Sequence, residues 1–140
     1  MSARYLLDTN ILSEAIKPQP SQAVTTRLTQ HKAHLATASV VVHEILFGCL
    51  KIPPSKRRTA IQNYIVNSVL TSLPIFHYNK TAAIWHAEQR AHLTAQGKTP
   101  GFSDGQIAAI AKTNDLILVT RNVKDFDGFT DLRIENWFEK

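Results

Sequence analysis

Three acidic side chains stand at positions where an acid is unexpected unless it does chemistry. Asp8 directly follows a short apolar run, Glu44 lies inside an apolar segment, and Asp104 precedes a run rich in alanine and isoleucine. Carboxylates that meet in one cleft bind divalent cations or transfer protons. The arrangement therefore predicts a catalytic or metal-binding site, provided that the fold brings the three acids together.

Asp8 is predicted to lie at the carboxyl end of a buried strand. The apolar run 5–7 ends at this acid, and the apolar segment 11–16 follows, which is the pattern of a strand that turns into a helix. Ligands of open α/β sheets bind outside the carboxyl ends of the strands. The simpler alternative is that Asp8 only caps the helix, because aspartate is favoured at helix N-termini.

Glu44 lies in a predicted helix among valine, isoleucine and glycine neighbours. An unpaired charge on a buried face is costly, so a glutamate there indicates a ligand or a partner. The alternative is a glutamate at the helix edge that pairs with Lys51 or Arg57.

Asp104 is predicted in the first turn of another helix. Ser103 and Gln106 have the spacing of a capping box, which predicts a helix from Ser103 to Asn114 with Asp104 at its first position. The helix dipole alone explains an acid there. Gly105 is a poor helix former, so its presence predicts either a close approach to the backbone or open space beside Asp104.

A fourth polar position follows the strongly β-prone run 116–120, where Asn122 and Asp125 come soon after the predicted strand. Two carboxylates at about 4 Å repel by about 4 kcal/mol at an effective dielectric of about 20, so a cluster of acids requires a cation or raised pKa values. Oxygen ligands without a cysteine or histidine pair favour Mg²⁺ or Mn²⁺ over Zn²⁺.

The elements that must position these acids alternate between strands and helices. Apolar periodicity and turn residues predict strands at 5–7, 34–37, 74–78, 116–120 and 132–136 and helices at 11–16, 21–30, 39–51, 55–72, 79–96 and 103–114. This alternation predicts an α/β fold with a mostly parallel central sheet flanked by helices on both faces. Residues 1–140 show no repeat or linker, which predicts a single domain.

Composition indicates which partners and which cellular compartment to expect. A net charge of +5 favours polyanionic partners such as nucleic acid. No apolar run is long enough to cross a bilayer, and the N-terminus lacks the layout of a signal peptide. The single cysteine, Cys49, excludes an internal disulfide and predicts a buried side chain in a cytoplasmic protein. Trp85 and Trp137 are predicted in the core, and His86 on a solvated face.

Four motifs together resemble a PIN-domain ribonuclease. They are the segments 6–14, 44–48, 103–109 and 119–126, which read LLDTNILSE, EILFG, SDGQIAA and VTRNVKDF. More narrowly, the chain resembles the VapC toxins of bacterial toxin–antitoxin pairs and the related FitB-like proteins over essentially its whole length. The resemblance implies a PIN-like domain, Mg²⁺- or Mn²⁺-dependent hydrolysis of RNA, a cognate antitoxin that blocks the cleft, a homodimer and a toxin–antitoxin hetero-oligomer.

The resemblance also implies roles for individual residues. Asp8 and Asp104 match the metal-binding aspartates, and Glu44 matches the acid on the intervening helix. Some members have an aspartate where this chain has Asn122, so either Asn122 supplies a neutral oxygen or Asp125 reaches into the site. These five are the candidate catalytic residues.

Further candidates surround these acids. The side chains expected to hydrogen-bond to the metal ligands are Thr9, Asn10, Ser39 and Thr120. The candidate contacts to the RNA backbone are Arg121, Lys51, Lys56, Arg57 and Arg58. For the last four, a solvated helix start is the alternative. The alternative function is a catalytically silent module of the same fold that binds nucleic acid or a partner protein.

Overall fold

The computed structural model describes residues 2–139, and five parallel strands form one sheet in that part of the chain. The strands are β1 (Tyr5–Leu7), β2 (Leu35–Ala38), β3 (Ile75–Phe76), β4 (Ile117–Val119) and β5 (Ile134–Glu135). Their order is β3-β2-β1-β4-β5, and Leu6 in the central strand pairs with Ala36 and Leu118. The carboxyl ends of β1 and β4 are therefore neighbours.

Helices connect the strands and flank the sheet. They are α1 (Thr9–Glu14), α2 (Gln22–Gln30), α3 (Ser39–Leu50), α4 (Lys56–Tyr64), α5 (Leu70–Ser72), α6 (Lys80–Ala95) and α7 (Phe102–Thr113). A π-helical segment, Ile65–Val69, joins α4 to α5. The predicted helix 55–72 is therefore helical from residue 56 to residue 72, with this π-helical segment inside it. The predicted α/β fold is confirmed, and the sheet is parallel throughout. In the described range, no helix is both long and apolar enough to cross a bilayer.

The core lies between the central strands and the helices that cover them. β1 and β4 are buried along their whole length, as expected for strands with helices on both faces. The helix α7 presents a continuous buried face, and the predicted burial of Cys49 and Trp137 is confirmed. Trp85 is half-buried and packs against the core. The rigid part of the molecule therefore stands directly beneath the ends of β1 and β4.

The start of α7 differs from the predicted capping box. The helix begins at Phe102, its N-cap is Gly101, and no side chain caps it. The Gly101 carbonyl already accepts a hydrogen bond of 3.0 Å from the Gly105 backbone N–H, so Ser103 is inside the helix and cannot cap it. Asp104 is accordingly the third helical residue and not the first.

His86 is buried, with 2% of its surface exposed, so its predicted place on a solvated face is wrong. Its Nδ1 lies 2.8 Å from the Tyr78 hydroxyl, and its ring packs directly on the backbone of Gly105. A methyl group on Gly105 would overlap the imidazole Nε2. Gly105 is thus required for close approach of α6 to α7, which is one of the two reasons predicted for it.

Candidate active site

A cavity of about 440 Å³ opens where β1 and β4 end. Asp8, Glu44 and Asp104 all line it, although they lie far apart in the sequence. The remaining lining residues are Thr9, Asn10, Ser13, Glu14, Lys17, Arg121, Asn122 and Phe138. We call this space the carboxylate cavity.

Asp8 is held rigidly at the base of the carboxylate cavity, with 6% of its surface exposed. Its Oδ1 accepts a hydrogen bond of 2.8 Å from the Thr9 backbone N–H, and its Oδ2 accepts one of 2.8 Å from the Thr120 hydroxyl. Asp8 is therefore the N-cap of α1 and a cavity residue at once. Burial raises the pKa of Asp8 above its usual value, and the nearby Glu44 and Asp125 charges raise it further, against the lowering by the two hydrogen bonds.

Glu44 reaches the same cavity from α3. Its Oε1 accepts a hydrogen bond of 2.9 Å from the Thr9 hydroxyl, so Thr9 connects Asp8 through its backbone to Glu44 through its side chain. Within residues 2–139, the ion pairs are Glu14–Lys17 and Asp115–Arg133, so Glu44 has no pair with a basic side chain. The alternative, an ion pair between Glu44 and Lys51 or Arg57, does not form in this part of the chain.

Asp104 lines the same cavity from the first turn of α7. Burial, followed by the charges of Asp125, Asp8 and Glu44, raises the pKa of Asp104 to about 6. Each of the three other acids is therefore close enough to interact electrostatically with the Asp104 carboxylate. The result is a concentration of negative charge that no cation of the described chain pairs with.

The two candidates for the fourth ligand lie on different sides of Asp104. Asn122 lines the carboxylate cavity, and its backbone N–H donates a hydrogen bond of 3.1 Å to the Thr120 hydroxyl. Asp125 ends the short 3₁₀ turn Val123–Asp125 and lines a second cavity of about 340 Å³, which we call the adjoining cavity. Asp104 lines both spaces, so it forms part of the wall between them.

A small hydrogen-bond network surrounds Asp8. The Thr120 hydroxyl, which donates to Asp8, also lies 3.4 Å from the Asn10 side-chain nitrogen. The Asn10 side-chain oxygen accepts a hydrogen bond of 3.1 Å from the Arg121 backbone N–H. Ser39, the remaining residue predicted for this role, begins α3 and does not belong to the described cavity lining.

The candidate basic contacts divide into two groups. Arg121 lines the carboxylate cavity. Lys51 follows α3, and Lys56, Arg57 and Arg58 form the first turn of α4. In the described part of the chain these four lie outside the cavity lining, and Arg57 instead lines a neighbouring, mostly apolar groove.

Four further lining residues were not predicted from the sequence: Ser13, Glu14, Lys17 and Phe138. Glu14 is buried, forms an ion pair of 2.9 Å with Lys17 and accepts a hydrogen bond from the Ser21 backbone N–H. These two contacts, Lys17 first, lower the pKa of Glu14. Glu14 and Lys17 come four and seven residues after the predicted site residue Asn10, and this helical spacing could have identified both. Phe138 carries no comparable signal, because it is distant in sequence from every other lining residue.

The donor set of the carboxylate cavity consists of oxygen atoms. Across residues 2–139, no three histidine, cysteine, aspartate or glutamate side chains lie close enough to ligate one metal ion together. Mg²⁺ is nevertheless commonly held by one or two carboxylates and completes its octahedron with water. Oxygen donors and uncompensated negative charge thus fit a hard divalent cation that remains partly hydrated.

Comparison with known sequences identifies similar proteins over nearly the whole chain. A family profile described as a PIN domain matches residues 5–130. Ribonuclease VapC2 of Haemophilus influenzae is 34% identical over 96% of this chain and 98% of its own length. The tRNA(fMet)-specific endonuclease VapC of Shigella flexneri is 30% identical over 96% and 98% of the two chains. Toxin FitB of Neisseria gonorrhoeae is 28% identical over 86% and 89%.

Solved structures agree with these sequence matches. The structure of FitAcB from Neisseria gonorrhoeae superposes with a TM-score of 0.89 at 27% identity, covering 97% of this chain and 99% of the matched chain. The structure of VapBC2 from Rickettsia felis bound to a promoter DNA fragment gives a TM-score of 0.82 at 29% identity, with coverage of 98% and 99%. The resemblance read from the four sequence motifs is thereby confirmed: this chain belongs to the PIN-domain family, among its VapC ribonucleases.

Proposed function

We infer that this chain is a divalent-metal-dependent endoribonuclease and the toxin of a toxin–antitoxin pair. The observation that carries this inference is the meeting of Asp8, Glu44 and Asp104 at one cavity, where, within residues 2–139, none of the three forms an ion pair with a basic side chain. The relatives named ribonuclease, endonuclease and toxin support it, because they match this chain along nearly its full length.

A divalent cation would supply two effects in this reaction, a lowered pKa of the attacking water and compensation of charge on the phosphate. Asp8 and Asp104 are the proposed ligands. Asp8 is already oriented by two hydrogen bonds, which reduces the reorganisation needed on binding. Burial and neighbouring negative charges raise the pKa of both aspartates. A bound cation would favour their charged forms and would therefore lower these pKa values.

Glu44 is proposed to orient the attacking water and to accept its proton. Its carboxylate is half-buried, and the Thr9 hydroxyl fixes one of its oxygens, which leaves the other oxygen free to accept a hydrogen bond. A general base must lie within hydrogen-bond reach of the proton that it accepts. Because Glu44 and Asp8 share Thr9, the base and the metal ligand are positioned by the same residue.

The fourth position is proposed to depend on both candidates. Asn122 supplies a neutral oxygen or amide donor on the side of the carboxylate cavity, and Asp125 supplies negative charge from the adjoining cavity. Asp8 and Asp104 would therefore hold the cation, and Asp125, whose charge raises the pKa of both aspartates, would act mainly through its charge.

The proposed RNA contact nearest the reacting phosphate is Arg121, because it lines the carboxylate cavity. Thr9, Asn10 and Thr120 maintain the geometry of the acids. Lys51, Lys56, Arg57 and Arg58 lie farther along the surface and would bind only RNA that extends past the cavity. Ser39 would act on the ligands only indirectly.

The proposed partners are an RNA substrate, a cognate antitoxin, a second copy of the chain and, for the assembled pair, a toxin–antitoxin hetero-oligomer. One relative is named as specific for tRNA(fMet), so that RNA is the first substrate to test. The proposed location is the cytoplasm, consistent with the single buried cysteine.

Cleavage assays test the proposal directly. Purified protein is incubated with a tRNA(fMet) transcript and with total bacterial RNA, with Mg²⁺, with Mn²⁺ and with EDTA. We expect metal-dependent cleavage that Asp8→Asn and Glu44→Gln abolish, and that the matched controls Asp131→Asn and Glu88→Gln retain. RNA binding without cleavage under every condition would instead establish the catalytically silent module.

A further inference from the structure

An arginine and an aromatic ring form a second functional wall of the carboxylate cavity. The Arg121 guanidinium carbon lies 4.4 Å from the centroid of the Phe138 ring, and both residues line the cavity that contains the acids. The other arginine–aromatic contacts in residues 2–139 are longer, at 5.3 Å for Arg90 on Phe102 and 5.5 Å for Arg4 on Tyr5. The contact at the cavity is thus the closest of its kind in the described chain.

Backbone hydrogen bonds hold both members of this pair in place. The Arg121 N–H donates to the Asn10 side-chain oxygen at 3.1 Å, and the Phe138 N–H donates to the Asn136 side-chain oxygen at 3.0 Å. The neighbouring Trp137 is fully buried and anchors the segment that carries Phe138. The fold therefore fixes the backbone of both residues, and the guanidinium and the ring are in contact.

One face of the guanidinium remains available. Arg121 is exposed, and within residues 2–139 it belongs to no ion pair, because the nearby Glu14 is paired with Lys17. The Phe138 ring contacts the guanidinium from one side, and the exposed remainder of this planar group is open to solvent. A planar cation with a free face beside a phosphate-binding site is suited to an unpaired base, since proteins that read single-stranded RNA stack bases on aromatic rings and on arginine planes.

We propose that Arg121 and Phe138 form a stacking site for the nucleobase next to the phosphodiester bond that is cleaved. Phe138 supports the guanidinium from one side, and the base stacks on the side that is open to solvent. Arg121 is then a binding residue that contacts the base, and Phe138 is a positioning residue that acts through it. The inference rests on the proposed function, because it takes the acids to hold the adjacent phosphate.

Two RNA probes separate base stacking from attraction to phosphate. One is a fluorescein-labelled, randomised single-stranded 12-mer, and the other is an abasic ribose-phosphate chain of the same length. Binding is measured by fluorescence anisotropy in Mg²⁺ with the Glu44→Gln protein, which keeps the proposed metal ligands and does not cleave the probe. The test variants add Arg121→Lys, which keeps the charge without the plane, or Phe138→Leu, which removes the support.

Stacking of one base is worth about 1–3 kcal/mol, so each test variant should bind the randomised RNA about tenfold more weakly than Glu44→Gln alone does. Affinity for the abasic chain should stay within about twofold, because the positive charge on which phosphate binding depends is retained in both variants. The matched control is Arg4→Lys, which alters an arginine–aromatic pair beside the amino end of β1, and it should change neither affinity.

Equal weakening on both probes, or no weakening on either, would overturn the stacking site. Thermal melting identifies a Phe138→Leu protein that fails to fold, and in that case Arg121→Lys, an exposed change, decides the result. The wild-type cleavage assay separates this inference from the proposed function. Cleavage by the wild type together with unchanged base dependence in Arg121→Lys rejects the stacking site alone, whereas no cleavage by the wild type rejects the nuclease.

Discussion

The Thr120 hydroxyl donates a hydrogen bond of 2.8 Å to Oδ2 of Asp8, a residue 112 positions earlier in the chain. The two residues directly follow adjacent parallel strands, β1 and β4, so the sheet register sets the length of this bond. The orientation of one proposed metal ligand therefore depends on the alignment of two strands.

Thr120→Val should impair catalysis, although valine has nearly the same size and shape as threonine. Valine preserves the shape but removes the donor to Asp8 and the acceptor of the Asn122 N–H, which costs about 1–3 kcal/mol of unfolding free energy and, by analogy with residues that support metal ligands, about 10- to 100-fold in activity. Urea denaturation and RNA cleavage measure the two effects. Thr120→Ser should restore activity, and Thr29→Val, which alters an exposed threonine, should behave as the wild type.

The stability of the metal-free protein should fall as the pH rises from about 4 to about 6, because the pKa of Asp104 is raised from 3.8 to about 6 in the fold. Between these values the folded state binds more protons than the unfolded state, so increasing pH favours unfolding. Thermal melting in EDTA at pH 5.0 and pH 7.5 measures the effect. Asp104→Asn should reduce this difference, and it should melt above the wild type at pH 7.5. Burial lowers the pKa of His86, which makes stability change with pH in the opposite direction, so the comparison with Asp104→Asn decides the test. The same pH dependence in the wild type and in Asp104→Asn would contradict the assigned charge coupling.

Mg²⁺ should reverse this loss of stability. At a concentration about ten times the dissociation constant, a ligand that binds only the folded state adds about 1.4 kcal/mol, which is about 4 °C in melting temperature for a chain of this size. Differential scanning fluorimetry with and without Mg²⁺ measures the shift. Asp8→Asn and Asp104→Asn should each lose most of it, while Asp131→Asn should keep it. A full shift in both cavity variants would place the cation elsewhere.

Gly105→Ala should destabilise the protein strongly, by about 2–4 kcal/mol, because the added methyl group overlaps the buried His86 ring and forces α6 away from α7. The matched control is Gly48→Ala in α3, where a methyl group meets no atom and should stabilise the helix by up to about 1 kcal/mol. Denaturant titration compares the two. The double variant Gly105→Ala, His86→Ala should show coupling, since removing the ring removes the overlap.

The parts of the fold that follow from local patterns were predictable. The run that ends at Asp8 has the composition of a buried strand, and Ser21 and Asn79 cap the helices that the sequence predicts near them. The placement of Asp8 at a strand end and of Glu44 and Asp104 on helices also predicted one shared cavity, which all three residues line.

The parts that depend on packing between distant segments were not predictable. The burial of His86 arises from its contact with Gly105, and a single histidine on a predicted helix gives no sign of such a contact. Phe138 reaches the cavity only because the chain after β5 passes beside Arg121. The failure of the capping box has a local cause, since the Gly101 carbonyl competes with Ser103 for the start of the helix, and sequence spacing does not rank the two.

Asp104 belongs to the wall between two openings, one on the side of Asn122 and the other on the side of Asp125. A polymer laid across such a partition can continue in both directions and needs no free terminus at the reaction centre. An RNA strand bound beside Asp104 could therefore extend to both sides of the cleaved bond, as the proposed cleavage within a strand requires.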